Sequence, residues 1–273
     1  MSMRMLDMRA GLRRGLIETA TVIGTFVKID DCSVVDIAHT AGLDFVVIDA
    51  EHSQLGDDSV RQLLGYACAL GFPALVRIPT LDIGYVNRAL EAGAVGIQLS
   101  NVVSRKQVDD LKMATRYAPS GKRSISLAHS QADYGRAGIP KYLAGEVEQP
   151  PVLVVQIESP NLSDPLDHIV RGVDVAFHGP TDMSVALGDA GATDGEAYRS
   201  ERIRLRDAAR DAGVPTGSWV ADRSSLDMST RWGDRYTVIG SDLQILASGL
   251  RTLTPASESA PTYDPIGTIQ EQS

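Results

Sequence analysis

The sequence predicts an α/β protein built as a single (β/α)8 barrel. Three observations carry that prediction. Short apolar runs rich in β-branched residues recur along the chain. A stretch with helical spacing follows each of them, and the polar residues that stand out gather at the carboxyl ends of the runs. A length of 273 residues with 43% apolar content suffices for one large domain of this kind.

In chain order, residues 1–10 are rich in Met and Arg and are expected to be a loose lead-in, with a short amphipathic helix over 11–20. Residues 21–27 are the first strand, followed by helical spacing over 31–41 that stops at Gly42. The second strand, 45–48, ends in Asp49-Ala50-Glu51-His52 and precedes a helix over 57–70. The third, 73–76, ends in Arg77 and precedes a helix over 81–92; the fourth, 95–99, precedes a helix over 104–116 with Ser104 as N-cap. The alternation then breaks. Residues 117–151 are rich in Gly, Ser, His, Arg and Tyr, and are expected to form a long excursion at the functional face with one or two short helices. Strands at 152–157 and 173–177 flank a helix over 162–171, and helical material follows at 183–187 and 198–212. Strands at 215–220 and 236–239, a helix over 224–232 between them and a last helix over 242–253 complete the count of eight strands. The barrel domain is thus expected over 11–253 and a disordered tail over 254–273.

A net charge of −9 and a pI near 5.0 argue against a nucleic-acid or anionic-membrane surface and leave small molecules as the expected partners. Cys32 and Cys68 have no zinc-ligand spacing and are expected as reduced thiols. No start resembles a signal peptide and no apolar run approaches the ~18 residues of a membrane span, so the chain is expected to be soluble and cytoplasmic.

The stretch 152–184 concentrates the chemistry. Glu158 closes one strand and Asp182 follows the next after a Gly179-Pro180 turn, so a right-handed crossover delivers both acids to one side of the sheet. Carboxylates there hold a hard divalent cation or do acid-base work; the plainer alternative is a pair of surface acids at loop starts. His52 follows a buried strand beside Asp49 and Glu51, in a loop without helical period. Arg77 ends a buried strand, where a guanidinium needs an anionic partner: a ligand, or a structural salt bridge to Glu51 or Asp49. With Gln98 and Gln156, these residues all fall at the catalytic end of a barrel.

Five blocks carry a resemblance: IDAEHSQ (48–54), VRIP (76–79), ALEAGAVGIQ (89–98), QIES (156–159) and GPTDMS (179–184). In register from about residue 10 to 253, they resemble the signature blocks of the HpcH/HpaI aldolases, metal-dependent pyruvate aldolases acting on 4-hydroxy-2-oxoheptanedioate and 2-keto-3-deoxy sugar acids. The resemblance implies Glu158 and Asp182 as ligands of Mg²⁺, Mn²⁺ or Co²⁺, and Arg77 on the substrate's oxygens. It also implies His52 as the acid-base residue, with Glu91 of a neighbouring subunit as the orienting carboxylate; without such a neighbour, Asp49 of the same chain is left to orient it. Gln156, Thr181, Ser218 and Trp219 are expected at the substrate. It implies, too, a hexameric trimer of dimers in which the last helix is exchanged between subunits, as the apolar Leu243, Ile245, Leu246 and Leu250 also suggest.

The chemistry agrees with this reading. Releasing pyruvate by aldol cleavage means holding an enolate, which a divalent cation and a fixed guanidinium stabilise. No lysine is read at a comparable strand end, which argues against a Schiff-base aldolase. The chain departs from the family pattern at Leu99-Ser100-Asn101, where a proline-containing turn is usual, at the 121–126 turn, at His129 and Gln131, and at Trp219. Those departures leave the 2-keto acid half intact and the aldehyde half open. Oxaloacetate decarboxylation of the macrophomate synthase type is the alternative reaction, and a non-catalytic keto-acid-binding barrel is the remote one.

Overall fold

The structure, a computed structural model, describes residues 3–18, 21–189 and 191–253; the tail expected over 254–273 lies outside the described residues. Among them, eight parallel strands close into a barrel in sequence order, β8 pairing back onto β1. They are β1 (Val22–Val27), β2 (Phe45–Asp49), β3 (Ala74–Ile78), β4 (Gly96–Leu99), β5 (Val152–Ile157), β6 (Val175–His178), β7 (Thr216–Val220) and β8 (Tyr236–Ser241). The helices are α1 (Met3–Glu18), α2 (Cys32–Thr40), α3 (Asp57–Leu70), α4 (Ile83–Ala92), α5 (Arg105–Thr115), α6 (Gly138–Glu148), α7 (Leu166–Val170), α8 (Pro180–Ala186), α9 (Glu196–Asp211), α10 (Leu226–Trp232) and α11 (Asp242–Arg251).

Parallel strands buried on both faces read as unbroken apolar runs, yet their side chains still alternate. In β2, Val46 and Ile48 pack outward with the helices, whereas Phe45 and Val47 point into the barrel. The same parity carries inward Asp49 from β2, Leu75 and Arg77 from β3, Gln98 from β4, and Val154 and Gln156 from β5. Gly24 makes room for this filling, because a Cβ there would stand 2.4 Å from the Phe45 ring. The barrel interior is therefore apolar near the strand starts and polar near their ends.

Three segments differ from the sequence expectation. The lead-in is no loose arm: residues 3–18 form one helix whose Met5, Met8, Leu12 and Leu16 recur at helical spacing and join the core inside the barrel. Its polar side reaches the connections before the strands, Arg9 to Glu146 at 3.2 Å and Arg13 to Asp174 at 2.6 Å, so α1 closes the N-terminal mouth. The excursion 117–151 also lies at that mouth. It joins the end of α5 to the start of β5, and every such connection in a parallel barrel sits opposite the catalytic face. It holds α6 and a helical turn over Ser130–Gly135, and Glu146 in it pairs with both Arg9 and Arg123. Finally, α7 begins only at Leu166, because Pro165 stands at its N-cap and a proline cannot sit inside a helix.

The last helix starts as expected at Asp242, whose Oδ2 accepts the backbone N–H groups of Lys28 and Ile29, both at 2.8 Å. Of its residues only Asp242 is buried. No helix among the described residues is long and apolar enough to cross a membrane.

If α1 seals the barrel as its burial indicates, Leu12→Ala removes a core side chain that is 4% exposed. The expected loss is about 2–4 kcal/mol in urea denaturation; a loss below ~0.5 kcal/mol would mean that α1 is only loosely attached.

Candidate active site

The ends of the strands enclose a cavity of about 340 Å³, lined by Lys28, His52, Arg77, Gln156, Asp182 and Trp219 among others. A larger hollow of about 620 Å³ lies at the other mouth between α1 and the strand starts, with Arg4, Asp7 and Asp44 on its wall. The smaller one is the candidate site, because there buried polar groups from many strands converge on one space.

One wall is organised by Asp49, which is fully buried. Arg77 grips it with two hydrogen bonds, Nε to Oδ1 at 2.9 Å and Nη2 to Oδ2 at 2.6 Å, and lies 4.1 Å from the centre of the Phe26 ring. The strand register explains the match, since Asp49 and Arg77 are paired positions of β2 and β3. Burial pushes the Asp49 carboxyl up, but the hydrogen bonds and charges of Arg77 and Lys28 outweigh it and hold the group well below the usual carboxylate range. Arg77 Nε also lies 3.4 Å from Glu51 Oε2, and Ser100 Oγ donates to that oxygen at 2.5 Å.

Lys28 corrects the sequence reading. It directly follows β1, faces the cavity, and brings its Nζ to 2.9 Å from Asp49 Oδ2 and 3.0 Å from the carbonyl oxygen of His52. A lysine does stand at a strand end. Ion-paired as it is, it would have to leave Asp49 before acting as a nucleophile, so its geometry is that of a structural cation. A lysine two positions after Phe26 shares its inward parity, and that was the signal available in the sequence.

His52 has a fixed backbone and an open ring. Its N–H donates to Asp49 Oδ1 at 3.2 Å, while its side chain is 59% exposed with Nε2 3.9 Å from Glu51 Oε2. Asp49 thus meets His52 through the backbone. Glu91 is far from this loop in its own chain: it ends α4 at the opposite mouth, where Asn87 Nδ2 donates to its Oε1 at 3.2 Å.

The other wall is built on Glu158, 4% exposed just beyond β5. Its Oε1 accepts the N–H of Asn101 at 2.8 Å and its Oε2 accepts Gln156 Nε2. Asn101 has φ +51, a left-handed conformation that asparagine tolerates, and this turn aims the N–H at the carboxylate. The Leu99-Ser100-Asn101 turn stood out in the sequence, but not as a contact to Glu158. Burial pushes the Glu158 carboxyl up to about 7; the Gln156 and Asn101 hydrogen bonds oppose this, and the charges of Asp182 and Glu51 add to it.

Asp182 is exposed in the first turn of α8. A buried acid that neighbouring acids repel is a donor set suited to a hard cation, and two carboxylates leave the remaining positions of an octahedral ion to substrate and water. Gly179 keeps the cradle open, because a Cβ there would stand 2.5 Å from Glu158 Oε2. Among the described residues no third His, Cys, Asp or Glu joins the pair.

Thr181 and Trp219 line the same cavity, Trp219 fixed by its Nε1 donating to the Gly240 carbonyl at 3.2 Å. Ser218 does not join them. Its parity on β7 is the outward one, and it faces a small hollow of about 80 Å³ against Arg202, Ser229 and Trp232 of the helix layer.

The family model described as HpcH/HpaI aldolase/citrate lyase matches residues 22–248. The chain is 31% identical to a hydroxypyruvate/pyruvate aldolase of Roseovarius nubinhibens over 84% of its own length and 90% of that protein's. It is 29% identical to a 2-keto-3-deoxy-L-rhamnonate aldolase of Klebsiella pneumoniae, covering 87% of this chain and 89% of that one. The crystal structure of an HpcH/HpaI aldolase from Desulfitobacterium hafniense superposes with a TM-score of 0.81 at 25% identity, covering 93% of this chain and 98% of the other. Macrophomate synthase shares the fold, with a TM-score of 0.75 at 22% identity over 90% and 88% of the two chains. The chain therefore belongs to the HpcH/HpaI aldolase/citrate lyase family, whose members make and break carbon–carbon bonds by aldol chemistry.

Proposed function

We propose that this protein is a divalent-metal-dependent aldolase that joins the enolate of pyruvate, or of a close 2-keto acid, to an aldehyde and reverses that reaction. The observation that carries the reading is the buried Glu158, cradled by Gln156, Asn101 and Gly179 and repelled by the charge of Asp182, beside the cavity that Gln156, Asp182 and Arg77 line. Relatives named for hydroxypyruvate, pyruvate and keto-deoxy sugar acids support a 2-keto acid as one substrate.

Glu158 and Asp182 would hold the cation. Lewis-acid stabilisation of the developing enolate charge is what it contributes when bound. Arg77 adds a positive charge at the same end, and its two bonds to Asp49 keep the guanidinium from reorganising as that charge appears. The His52 imidazole takes the proton from the substrate hydroxyl two carbons from the ketone on cleavage and returns it on condensation; its exposure leaves it free to reach that oxygen. Gln156 lies between the Glu158 carboxylate and the cavity, and Thr181 and Trp219 border the space for the aldehyde half.

The test follows solvent-deuterium exchange at the pyruvate methyl group, then pyruvate and oxaloacetate against an aldehyde panel with Mg²⁺, Mn²⁺ or Co²⁺. Metal-dependent exchange and aldol adducts are expected. Glu158→Gln and Asp182→Asn should each weaken Mn²⁺ binding at least ~10-fold by calorimetry. Carbon dioxide from oxaloacetate without adducts would assign decarboxylation instead, and undiminished Mn²⁺ affinity in both variants would remove the metal site.

Arg77→Lys keeps the charge but loses the planar fork on Asp49. The expected result is a fall in kcat of roughly 100-fold, larger than any rise in KM. A change in KM alone would restrict Arg77 to substrate binding.

Assembly belongs to the same reading. Leu243, Ile245, Leu246 and Leu250 of α11 are each about half exposed, a row of apolar side chains that needs a covering surface. Exchange of α11 between subunits of a hexamer supplies one, and only association could bring a Glu91 from the far mouth of one barrel to the His52 of another. Since Gln244 belongs to the cavity wall, the variant alters only outward residues: Leu246→Glu with Leu250→Glu. Light scattering should give a hexamer for the wild type and smaller species for the variant, with activity falling alongside. A wild type that is monomeric and fully active would overturn both the exchange and the role of Glu91.

A further inference from the structure

Inside the barrel a line of hydrogen bonds runs from one wall to the other. Tyr236 OH donates to Gln98 Oε1 at 3.3 Å, Gln98 Nε2 donates to Gln156 Oε1 at 3.0 Å, and Gln156 Nε2 donates to Glu158 Oε2. All four residues are sealed from solvent, with Tyr236 and Gln98 at 0%, Gln156 at 3% and Glu158 at 4% exposure. Three come from different strands, β8, β4 and β5, and the fourth stands just beyond β5.

The line has a direction. In the ionised form that would bind a cation Glu158 only accepts, so Gln156 then has to present its N–H to Glu158 and its carbonyl oxygen to the next residue. Gln98 then has to present N–H to Gln156, which turns its own oxygen toward the phenol. A primary amide has nearly the same shape after a 180° flip, so packing alone does not choose between its two orientations. The chain of partners does. The phenol at its origin is rigid: Tyr236 stacks on Phe45 with ring centres 4.3 Å apart and meets Phe177 edge-on at 5.9 Å. The phenol can donate or accept, so the polarity of the line is set at its Glu158 end, and the packed Tyr236 fixes where the Gln98 amide stands.

We propose that Gln98, anchored by Tyr236, is a positioning residue that locks the Gln156 amide with its N–H toward Glu158, and so keeps that carboxylate oriented to bind a cation. Gln98 is not among the residues lining the cavity, and its side chain hydrogen-bonds to the site through Gln156. The proposal rests on the metal reading given above. Its logic is that a flipped Gln156 would point a carbonyl oxygen at Glu158 Oε2, setting two acceptors against each other in a buried site.

Three substitutions separate polarity from packing. Gln98→Met keeps the size of the side chain and removes both hydrogen bonds. Gln98→Glu keeps the shape but, when ionised, accepts from Gln156 Nε2 and so favours the flipped amide. Tyr236→Phe removes one hydroxyl at the far end and is the least disruptive to folding. Mn²⁺ titrations of the full-length chain by calorimetry, with circular dichroism to establish folding, give the readout. Gln98→Met is expected to weaken Mn²⁺ about 10-fold and Tyr236→Phe about 3-fold, with Gln98→Glu weaker than either. In a Glu158→Gln background, Gln98→Met should add nothing further.

Mn²⁺ affinities within 2-fold of the wild type for all folded variants, while Glu158→Gln alone abolishes binding, would overturn the proposal and leave the metal reading standing. A wild type whose Mn²⁺ binding survives Glu158→Gln would overturn the metal reading, and the proposal with it. Equal losses in Gln98→Met and Gln98→Glu would also count against the proposal, because a packing defect has no polarity.

Discussion

A carboxylate sealed from water at the end of a barrel strand needs a donor for each lone pair, and Asp49 has five. They are Nε and Nη2 of Arg77, Nζ of Lys28, and the backbone N–H groups of Glu51 and His52. Desolvating such a group costs several kcal/mol, so the ion is tolerated only because the set is complete. That completeness ties β1, β2, β3 and the loop carrying His52 into one unit. Arg77 cannot turn without leaving Asp49 short of partners, and Lys28 holds the His52 carbonyl from the other side. The positions of the guanidinium and of the His52 backbone are thus set by one buried anion.

The opposite wall solves the same problem with neutral groups. Glu158 takes its donors from a backbone N–H and an amide, and that amide is itself held by a second amide and a phenol. Dipoles do not offset burial of the Glu158 carboxyl, which is pushed up to about 7, whereas the cations on Asp49 hold that group well below the usual carboxylate range. The contrast assigns different work to the two acids. Asp49 is a mount for cationic side chains, and Glu158 is held by neutral donors.

At the far mouth of the barrel the polar groups serve stability. Glu146 bridges Arg9 of α1 and Arg123 of the excursion, at 3.2 and 3.3 Å, and Tyr117 and Tyr142 pack beside them. These contacts fasten the helix that closes the barrel floor to the long connection before β5. The candidate cavity lies at the opposite end, among the strand ends, which is the division of labour usual for this architecture.

The sequence by itself determined the class of fold and the order of its strands, because apolar runs and helical spacings are local patterns of neighbouring residues. It also determined which acids, arginine and histidine close the strands, and through five short blocks it identified the family. Other features were decided only by tertiary structure. The parity of Lys28 with Phe26 is local, but on strands buried on both faces only closure of the barrel decides which parity is inward, and so puts Lys28 at the cavity and Ser218 against the helices. The polar composition of 117–151 suggested a functional loop, but its place between α5 and β5 puts it at the floor. Residues 3–18 became a buried helix because the open mouth of the barrel offers them an apolar surface that exists only once the strands have closed. The line from Tyr236 to Glu158 depends on closure in the same way: Tyr236 and Gln98 are 138 residues apart in the chain, and they meet only because β8 and β4 face each other across the barrel interior.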